Sequence, residues 1–296
     1  MLWVLTTLAA AAGQTARNAM QSSLTAKLGT LGATQVRFVY GFPFSVLFLA
    51  AVVAFSGEAV PAPGARFLIF TASGAIAQIL GTVCLLAAMR DRSFSVATAF
   101  TKTEAVQVAL FGLVILGDEL SWMRAVAIVV ATAGVLLIAF KPGEKLTRAS
   151  LRPALYGIAS GGLYAIAAVG FRGGILALDS GAYFVRASTT LVWSLAIQSV
   201  LLGGWMLAFQ RASFFLSFSV WRQSLFAGLM GAFASQCWFL GFSLTSAANV
   251  RTLGLVEVLF AQAVSRRVFS QSTTWRELAG MTLVLVGVGL LLASAI

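Results

Sequence analysis

The chain has 296 residues, of which 59% are apolar and only 10% are charged, and its mean hydropathy is +0.94. A soluble protein carries charge on about 25% of its residues, so this composition excludes a soluble globular domain and predicts an integral membrane protein. The net charge of +11 does not indicate a nucleic-acid partner, because the basic residues are spread over loops and apolar segments without forming a basic domain.

Ten apolar segments follow one another with short connections, and each is close to the roughly 20 residues that a spanning helix needs. Because the segments are long and rich in Leu, Ala and Gly instead of alternating with polar residues, we reject a β-barrel. We predict membrane spans at residues 1–22, 31–55, 66–88, 93–116, 121–140, 153–175, 181–208, 219–242, 246–268 and 274–295. The fold class is therefore an all-α membrane protein with ten transmembrane helices.

The second half of the chain repeats the first at a fixed offset of 153 residues. The matched pairs are Cys84 and Cys237, Glu104 and Glu257, Trp122 and Trp275, Gly134 and Gly287, Val135 and Val288, and Leu137 and Leu290. We expect two five-helix repeats, at 1–140 and 153–296, joined by a basic connecting loop at 141–152. Five is odd, so the halves must have opposite orientations, which predicts inverted repeats around a central cavity.

Basic residues predict the orientation of the chain. The loops after helices 1, 3, 5, 7 and 9 carry most of the Lys and Arg, whereas the opposite face holds little beyond Arg66 and Arg124. The positive-inside rule then places both termini outside the cell. We expect a multi-pass protein of the plasma membrane, which in bacteria is the inner membrane.

Residues 95–140, their counterpart 249–292 and the start of helix 2 carry a recognisable pattern. In each of the two long stretches a helix, a short turn and a second helix end in Gly-Val-x-Leu; the first stretch has Gly-Asp-Glu-Leu at 117–120, and helix 2 starts with Arg37-Phe38. The pattern resembles the EamA-type family of the drug/metabolite transporter superfamily, although Gln271 and Ser272 replace the acidic pair in the second half. The resemblance implies a ten-helix carrier of small organic solutes, and it implies cytoplasmic termini, the reverse of the charge count.

Eight of the charged residues inside the predicted spans are candidates for a function, because each costs about 2.5–3.5 kcal/mol at a helix centre. They are Arg17, Arg37, Lys102, Glu104, Arg172, Arg186, Arg251 and Glu257. Removal from water favours the protonated form of a carboxyl group, so we interpret Glu104 and Glu257 as coupling carboxylates. The alternative is that each forms a structural ion pair with an arginine. Lys102 lies on the opposite side of the helix from Glu104, so these two cannot pair.

Polar side chains on helix 1 predict a wall of the cavity. Gln14, Asn18 and Gln21 share one face beside Arg17, although such a stripe also serves simply to hold helices together. The predicted substrate-binding residues are Gln14, Arg17, Asn18, Gln21, Gln78, Lys102, Tyr164, Trp238 and Arg251.

We therefore predict a secondary active transporter, an exporter of small polar organic metabolites such as amino acids, with proton coupling through the two glutamates. The alternatives are an efflux carrier of organic cations or drugs, and a passive channel or lipid-headgroup flippase. We expect no enzymatic activity, cofactor or metal site, because histidine and the common catalytic motifs are absent and both cysteines lie in apolar segments. The expected partners are a small-molecule solute and the lipid bilayer; monomer and dimer both stay open.

Overall fold

The computed structural model describes residues 1–90, 100–139, 148–260, 263 and 274–294, without the side chains at 18–23, 25–26, 30, 86–90, 139 and 148–153. Within these ranges the chain forms helices joined by turns and contains no strand. The helices are α1 (Leu2–Val39), α2 (Gly41–Ser56), α3 (Ala65–Arg90), α4 (Glu104–Phe111) with a π-helical extension (Gly112–Leu116), α5 (Trp122–Ala139), α6 (Arg148–Leu176), α7 (Tyr183–Phe209), α8 (Arg211–Ser219), α9 (Trp221–Leu244), α10 (Ala247–Leu253) with a 3-10 turn (Gly254–Val256), and α11 (Trp275–Ala293).

Six of the described helical segments are long and apolar enough to cross a membrane. They are Leu31–Ser56, Ala65–Leu85, Ala154–Leu176, Tyr183–Phe209, Trp221–Leu244 and Trp275–Ala293, and the apolar helices Glu104–Leu116 and Trp122–Ile138 are shorter. The chain is thus an all-helical, multi-pass membrane protein. Its arrangement as ten spans in inverted repeats stays a prediction.

The chain forms two compact units, each drawn from both halves of the sequence. The first unit comprises residues 1–79 and 170–245, and the second comprises 80–169 and 246–296. The second unit contains both glutamates of the repeat, so it holds the residues on which the functional argument depends.

In the first unit, α1 is two helices joined at a sharp kink. Gly29 has φ 68° and ψ 175°, a backbone conformation that glycine adopts readily because it has no Cβ. Arg17 and Arg37 are twenty residues apart, which would separate them by about 30 Å on a straight helix. Both nevertheless approach Gly231 of α9, where an added Cβ would lie 3.5 Å from Arg17 Cδ and 3.7 Å from Arg37 Cγ. The chain therefore turns back at Gly29.

A second interruption separates α1 from α2 at Tyr40. Pro43 has no N–H group to donate to the carbonyl four residues earlier, that of Val39, which is the last residue of α1. The proline explains why the helix is broken here and resumes at Gly41.

In the second unit, α5 and α11 pack with their backbones in close contact through small residues. A Cβ at Gly134 would lie 2.6 Å from the carbonyl oxygen of Gly280, and a Cβ at Gly287 would lie 2.8 Å from the carbonyl oxygen of Ala127. As one residue number rises the other falls, so the two helices are antiparallel. The repeat offset relates Gly134 to Gly287 and Ala127 to Gly280, so it exchanges the two contacts, as a local two-fold axis does.

Candidate coupling and substrate site

Both glutamates of the repeat directly follow a break in their helix. In the first half, Lys102 and Thr103 form a turn and α4 begins at Glu104. In the second half, α10 ends at Leu253, a 3-10 turn follows, and helical structure resumes at Glu257. Discontinuous helices are typical of the substrate and ion sites of secondary transporters, because they free backbone groups near the middle of the membrane.

Each glutamate forms an ion pair with a cation from the other half of the sequence. Lys102 Nζ donates to Glu257 Oε1, and Arg251 donates through Nε and Nη2 to Glu104 Oε1. Residue 102 pairs with 257 and residue 104 with 251, so the two segments are antiparallel, as α5 and α11 are. We predicted that Lys102 does not pair with Glu104, and this agrees with the observed pairing of Lys102 with Glu257.

The two ion pairs form a cluster of four charged groups, which we call the crossed ion pairs: Lys102, Glu104, Arg251 and Glu257. Their side chains are largely removed from solvent, with exposed fractions of 25% for Lys102, 14% for Glu257, 20% for Arg251 and 15% for Glu104. Two positive and two negative charges make the cluster neutral. None of the four side chains is fully buried.

Glycines of α6 allow its backbone to lie directly against the first helix break. A Cβ at Gly161 would be 3.0 Å from the carbonyl oxygen of Thr101 and 3.4 Å from the amide nitrogen of Glu104. Beside it, Gln107 Nε2 donates to Thr103 Oγ1 at 3.0 Å and to the carbonyl oxygen of Ile158 at 3.4 Å. The start of α4 therefore packs against α6, and Gln107 connects the turn before α4 to the backbone of α6.

Tyr164 also lies in the second unit. Its hydroxyl is 3.0 Å from Thr82 Oγ1, and its ring packs where Gly81 lacks a side chain, with a Cβ there 3.2 Å from the ring. Ser160, one turn earlier on α6, donates to the carbonyl oxygen of Gly81 at 2.8 Å. The tyrosine is therefore fixed to α3 by a hydrogen bond and by packing.

The first unit holds a separate set of the predicted cavity residues. Trp238 Nε1 donates to Gln14 Oε1 at 3.1 Å, and Arg17 is buried, with 7% of its surface exposed. Gln198 Nε2 donates to Gln78 Oε1 at 2.6 Å. These contacts link α1 with α9 and α3 with α7. Whether these residues bind substrate stays a prediction.

Three further predicted residues have different outcomes. The side chains of Asn18 and Gln21 lie outside the described part of the chain. Arg172 donates to the carbonyl oxygens of Phe242, at 2.8 Å, and Thr245, where it binds the C-terminal end of α9. Cations interact favourably with the carbonyl groups at a helix C-terminus, so this contact explains how Arg172 is accommodated inside an apolar span.

The sequence analysis missed two polar residues that the structure connects to the site residues. Gln198 is buried and bonds Gln78, and it could have been found by the same signal, an amide inside an apolar span. Gln107 contacts the first helix break, but on sequence alone it is only a polar residue one turn after Glu104.

Comparison with known proteins agrees with this description. A solved structure, described only as a crystal structure of a protein, shares the fold with a TM-score of 0.77 and 14% sequence identity over 99% of this chain and 98% of the other. No curated protein matches the chain in sequence. The profile of the EamA-like transporter family, which belongs to the drug/metabolite transporter superfamily, matches residues 1–140, so the first half of the chain is similar in sequence to that family.

Proposed function

We propose that the chain is a secondary active transporter that exports small zwitterionic metabolites such as amino acids. The observation that carries this proposal is the pair of crossed ion pairs at two equivalent helix breaks. Charged groups inside a membrane protein are costly and usually mark a substrate or ion pathway. Here they lie on the repeat-related residues Glu104 and Glu257, beside the structural feature that transporters use for binding.

The charges of the cluster favour a zwitterion over an ion of one sign. A solute with a carboxylate and an ammonium group can replace both partners of one pair, its carboxylate binding Lys102 and its ammonium binding Glu257. The exchange keeps every charge compensated. A purely cationic or anionic solute would leave one of the four groups unpaired, which is costly away from water.

Alternating access follows from the two-fold relation between equivalent segments. The antiparallel contacts of α5 with α11, and of the Glu104 segment with the Glu257 segment, are those that two inverted repeats would make. In such proteins the repeats rock around a site near the middle of the membrane, so that the site opens to one side at a time. The chain then functions in the bacterial inner membrane with both termini outside.

Coupling to protons uses the same carboxylates. When Glu257 takes up a proton, it can no longer bind the ammonium group of the solute, so a proton and the solute compete for this carboxylate, and Glu104 would act in the same way beside Arg251. Proton entry would thereby drive solute exit. Because the chain carries no ATP-binding motif, uphill export in this scheme depends on an ion gradient.

Thermal unfolding of the purified protein with matched ligands tests the substrate class. For each amino acid, the panel includes the amine that lacks the carboxylate and the acid that lacks the ammonium, at pH 6 and pH 8. A ligand at 100 times its dissociation constant stabilises by about 2.7 kcal/mol. We expect a shift from one or more amino acids only, a dependence on pH, and loss of the shift in Glu104→Gln but not in Glu119→Gln, an exposed loop control.

Two other outcomes would contradict the proposal. If the amines alone stabilise the protein as strongly as the amino acids, the chain is an efflux carrier of organic cations. If no amino acid stabilises it, the chain is not a carrier of these metabolites, and movement of lipid headgroups across vesicle membranes would then test the flippase alternative.

A further inference from the structure

The connection between α7 and α9 contains a short helix whose length and composition are typical of helices at the membrane surface. α8 has nine residues, Arg211–Ser219, whereas a membrane span needs roughly 20. Its sequence, RASFFLSFS, contains three phenylalanines and one arginine. A helix of this kind lies along the interface and does not cross the membrane.

One side of α8 is fixed to the protein. Ser217 is fully buried, and its carbonyl oxygen accepts a 3.0 Å hydrogen bond from Ser224 Oγ of α9. The ring of Phe218 is 5.6 Å from the ring of Tyr40, measured between centroids. These contacts hold the helix in one orientation, so the side chains on its other face have defined positions.

Aromatic rings on α8 and at the start of α9 are partly exposed. Phe215 is 59% exposed, Phe218 is 47% exposed, and Trp221 at the start of α9 is 53% exposed. Phe215 and Phe218 are three residues apart and their centroids are 6.3 Å apart, so they form one continuous apolar surface. Rings of this kind sit at the level of the lipid headgroups and the upper acyl chains.

Three exposed basic residues lie near the two ends of α8. Arg211 Nε donates to the carbonyl oxygen of Leu207, at the C-terminal end of α7, and the guanidinium of Arg222 lies 5.4 Å from the ring centroid of Trp221. Lys27 Nζ donates to Gln223 Oε1 at 3.2 Å. None of the three forms an ion pair with a residue that the structure describes. From 180 to 256 the sequence contains no Asp or Glu, so no carboxylate of this segment compensates them.

We propose that α8 and its basic neighbours form a binding site for an anionic phospholipid. Basic side chains at the two ends of α8 attract the phosphate group of the lipid, and its acyl chains cover Phe215 and Phe218. Guanidinium and ammonium groups bind phosphate strongly, and basic clusters at the membrane surface select anionic lipids over zwitterionic ones. This site is independent of the transport site, since none of its residues belongs to the crossed ion pairs.

Lipid binding to the purified full-length chain tests this proposal. The protein is equilibrated with phosphatidylglycerol or with phosphatidylcholine of the same acyl chains, and the bound lipid is counted by native mass spectrometry. We expect preferential retention of phosphatidylglycerol, weakened by added salt because salt screens the charges. Arg211→Gln/Arg222→Gln should lower the affinity for phosphatidylglycerol about 30-fold, the factor for two surface cations, and leave phosphatidylcholine unchanged.

Further variants separate a specific site from general effects. Arg211→Lys/Arg222→Lys should keep the preference, because the charges remain. Arg66→Gln, which removes an exposed arginine near Phe70, should not change it. Inorganic phosphate should not displace the lipid, because it cannot cover the rings; displacement would indicate a site for free phosphate. Equal retention of the two lipids by the parent, or an unchanged preference in Arg211→Gln/Arg222→Gln, would overturn the proposal.

Discussion

Replacing Glu257 with glutamine should destabilise the protein through the charge that it leaves behind. The variant keeps the size of the side chain but removes the negative partner of Lys102. Removing one partner of a fully buried ion pair costs about 3–5 kcal/mol, whereas an exposed pair contributes at most about 1 kcal/mol. The two side chains are 14% and 25% exposed, so we expect a loss between these limits, about 2–3 kcal/mol.

A double-mutant cycle measures this interaction. Stability is determined by reversible unfolding in mixed micelles for Glu257→Gln, for Lys102→Met and for the variant with both changes. The combined variant should recover part of the loss, because it contains neither unpaired charge, and the coupling energy should lie within the range of about 0.5–3 kcal/mol found for residues in contact.

The matched control cycle combines Lys102→Met with Glu277→Gln. Glu277 forms a capping box with Thr274 at the start of α11 and shares no partner with Lys102 among the residues that the structure describes, so these two effects should add. If the Glu257→Gln and Lys102→Met effects also add, or if Glu257→Gln is as stable as the parent, the ion pair does not exist as described.

Two further changes test the packing of the second unit. Gly287→Ala should destabilise the protein by about 1–3 kcal/mol, since its Cβ would lie 2.5 Å from the amide nitrogen of Ala131. The control Gly289→Ala on the same helix places its Cβ where no atom lies within 4 Å, so it should be neutral or stabilising. Equal effects of the two variants on the unfolding temperature would contradict the α5–α11 contact. Tyr164→Phe removes the hydrogen bond to Thr82 and should cost about 1 kcal/mol in the same unfolding measurement, and no loss would show that the bond does not contribute.

The repeat made the two glutamates recognisable from the sequence, but it could not identify their partners. A carboxylate at the same place in both halves stands out because charges are rare in apolar segments. The choice of Lys102 and Arg251 as partners depends on how two segments 150 residues apart cross in space. Neither cation has a basic counterpart at the repeat offset, where Leu255 and Thr98 stand, so the repeat gave no signal for them.

The boundaries of the helices depend on local chemistry that sequence patterns resolve less well. We predicted that the first span ends near residue 22, but α1 continues helically to the kink at Gly29. Nothing in the polar stretch before Gly29 breaks a helix, because it contains no proline or glycine. The length of an apolar segment reflects the thickness of the membrane, whereas the end of a helix depends on local backbone chemistry. The end of the apolar segment and the end of the helix therefore need not coincide.

The division into two compact units was also not visible in the sequence. Sequence similarity divides the chain into consecutive halves, whereas spatial contacts join residues 80–169 with 246–296. Helices of different halves pack together because small residues at matched positions, such as Gly134 and Gly287, allow close approach. Such pairing follows from three-dimensional contacts that no single stretch of sequence contains.

Solute counterflow in proteoliposomes tests whether the protein carries amino acids by proton-coupled alternating access. Vesicles with the purified protein are loaded with an amino acid that stabilises it, and uptake of the labelled amino acid is followed with and without a pH gradient. We expect saturable counterflow that a pH gradient accelerates in the parent and in Glu119→Gln, and a loss of this acceleration in Glu104→Gln and Glu257→Gln. Flux without saturation or counterflow, or glutamine variants that respond to the gradient like the parent, would contradict it.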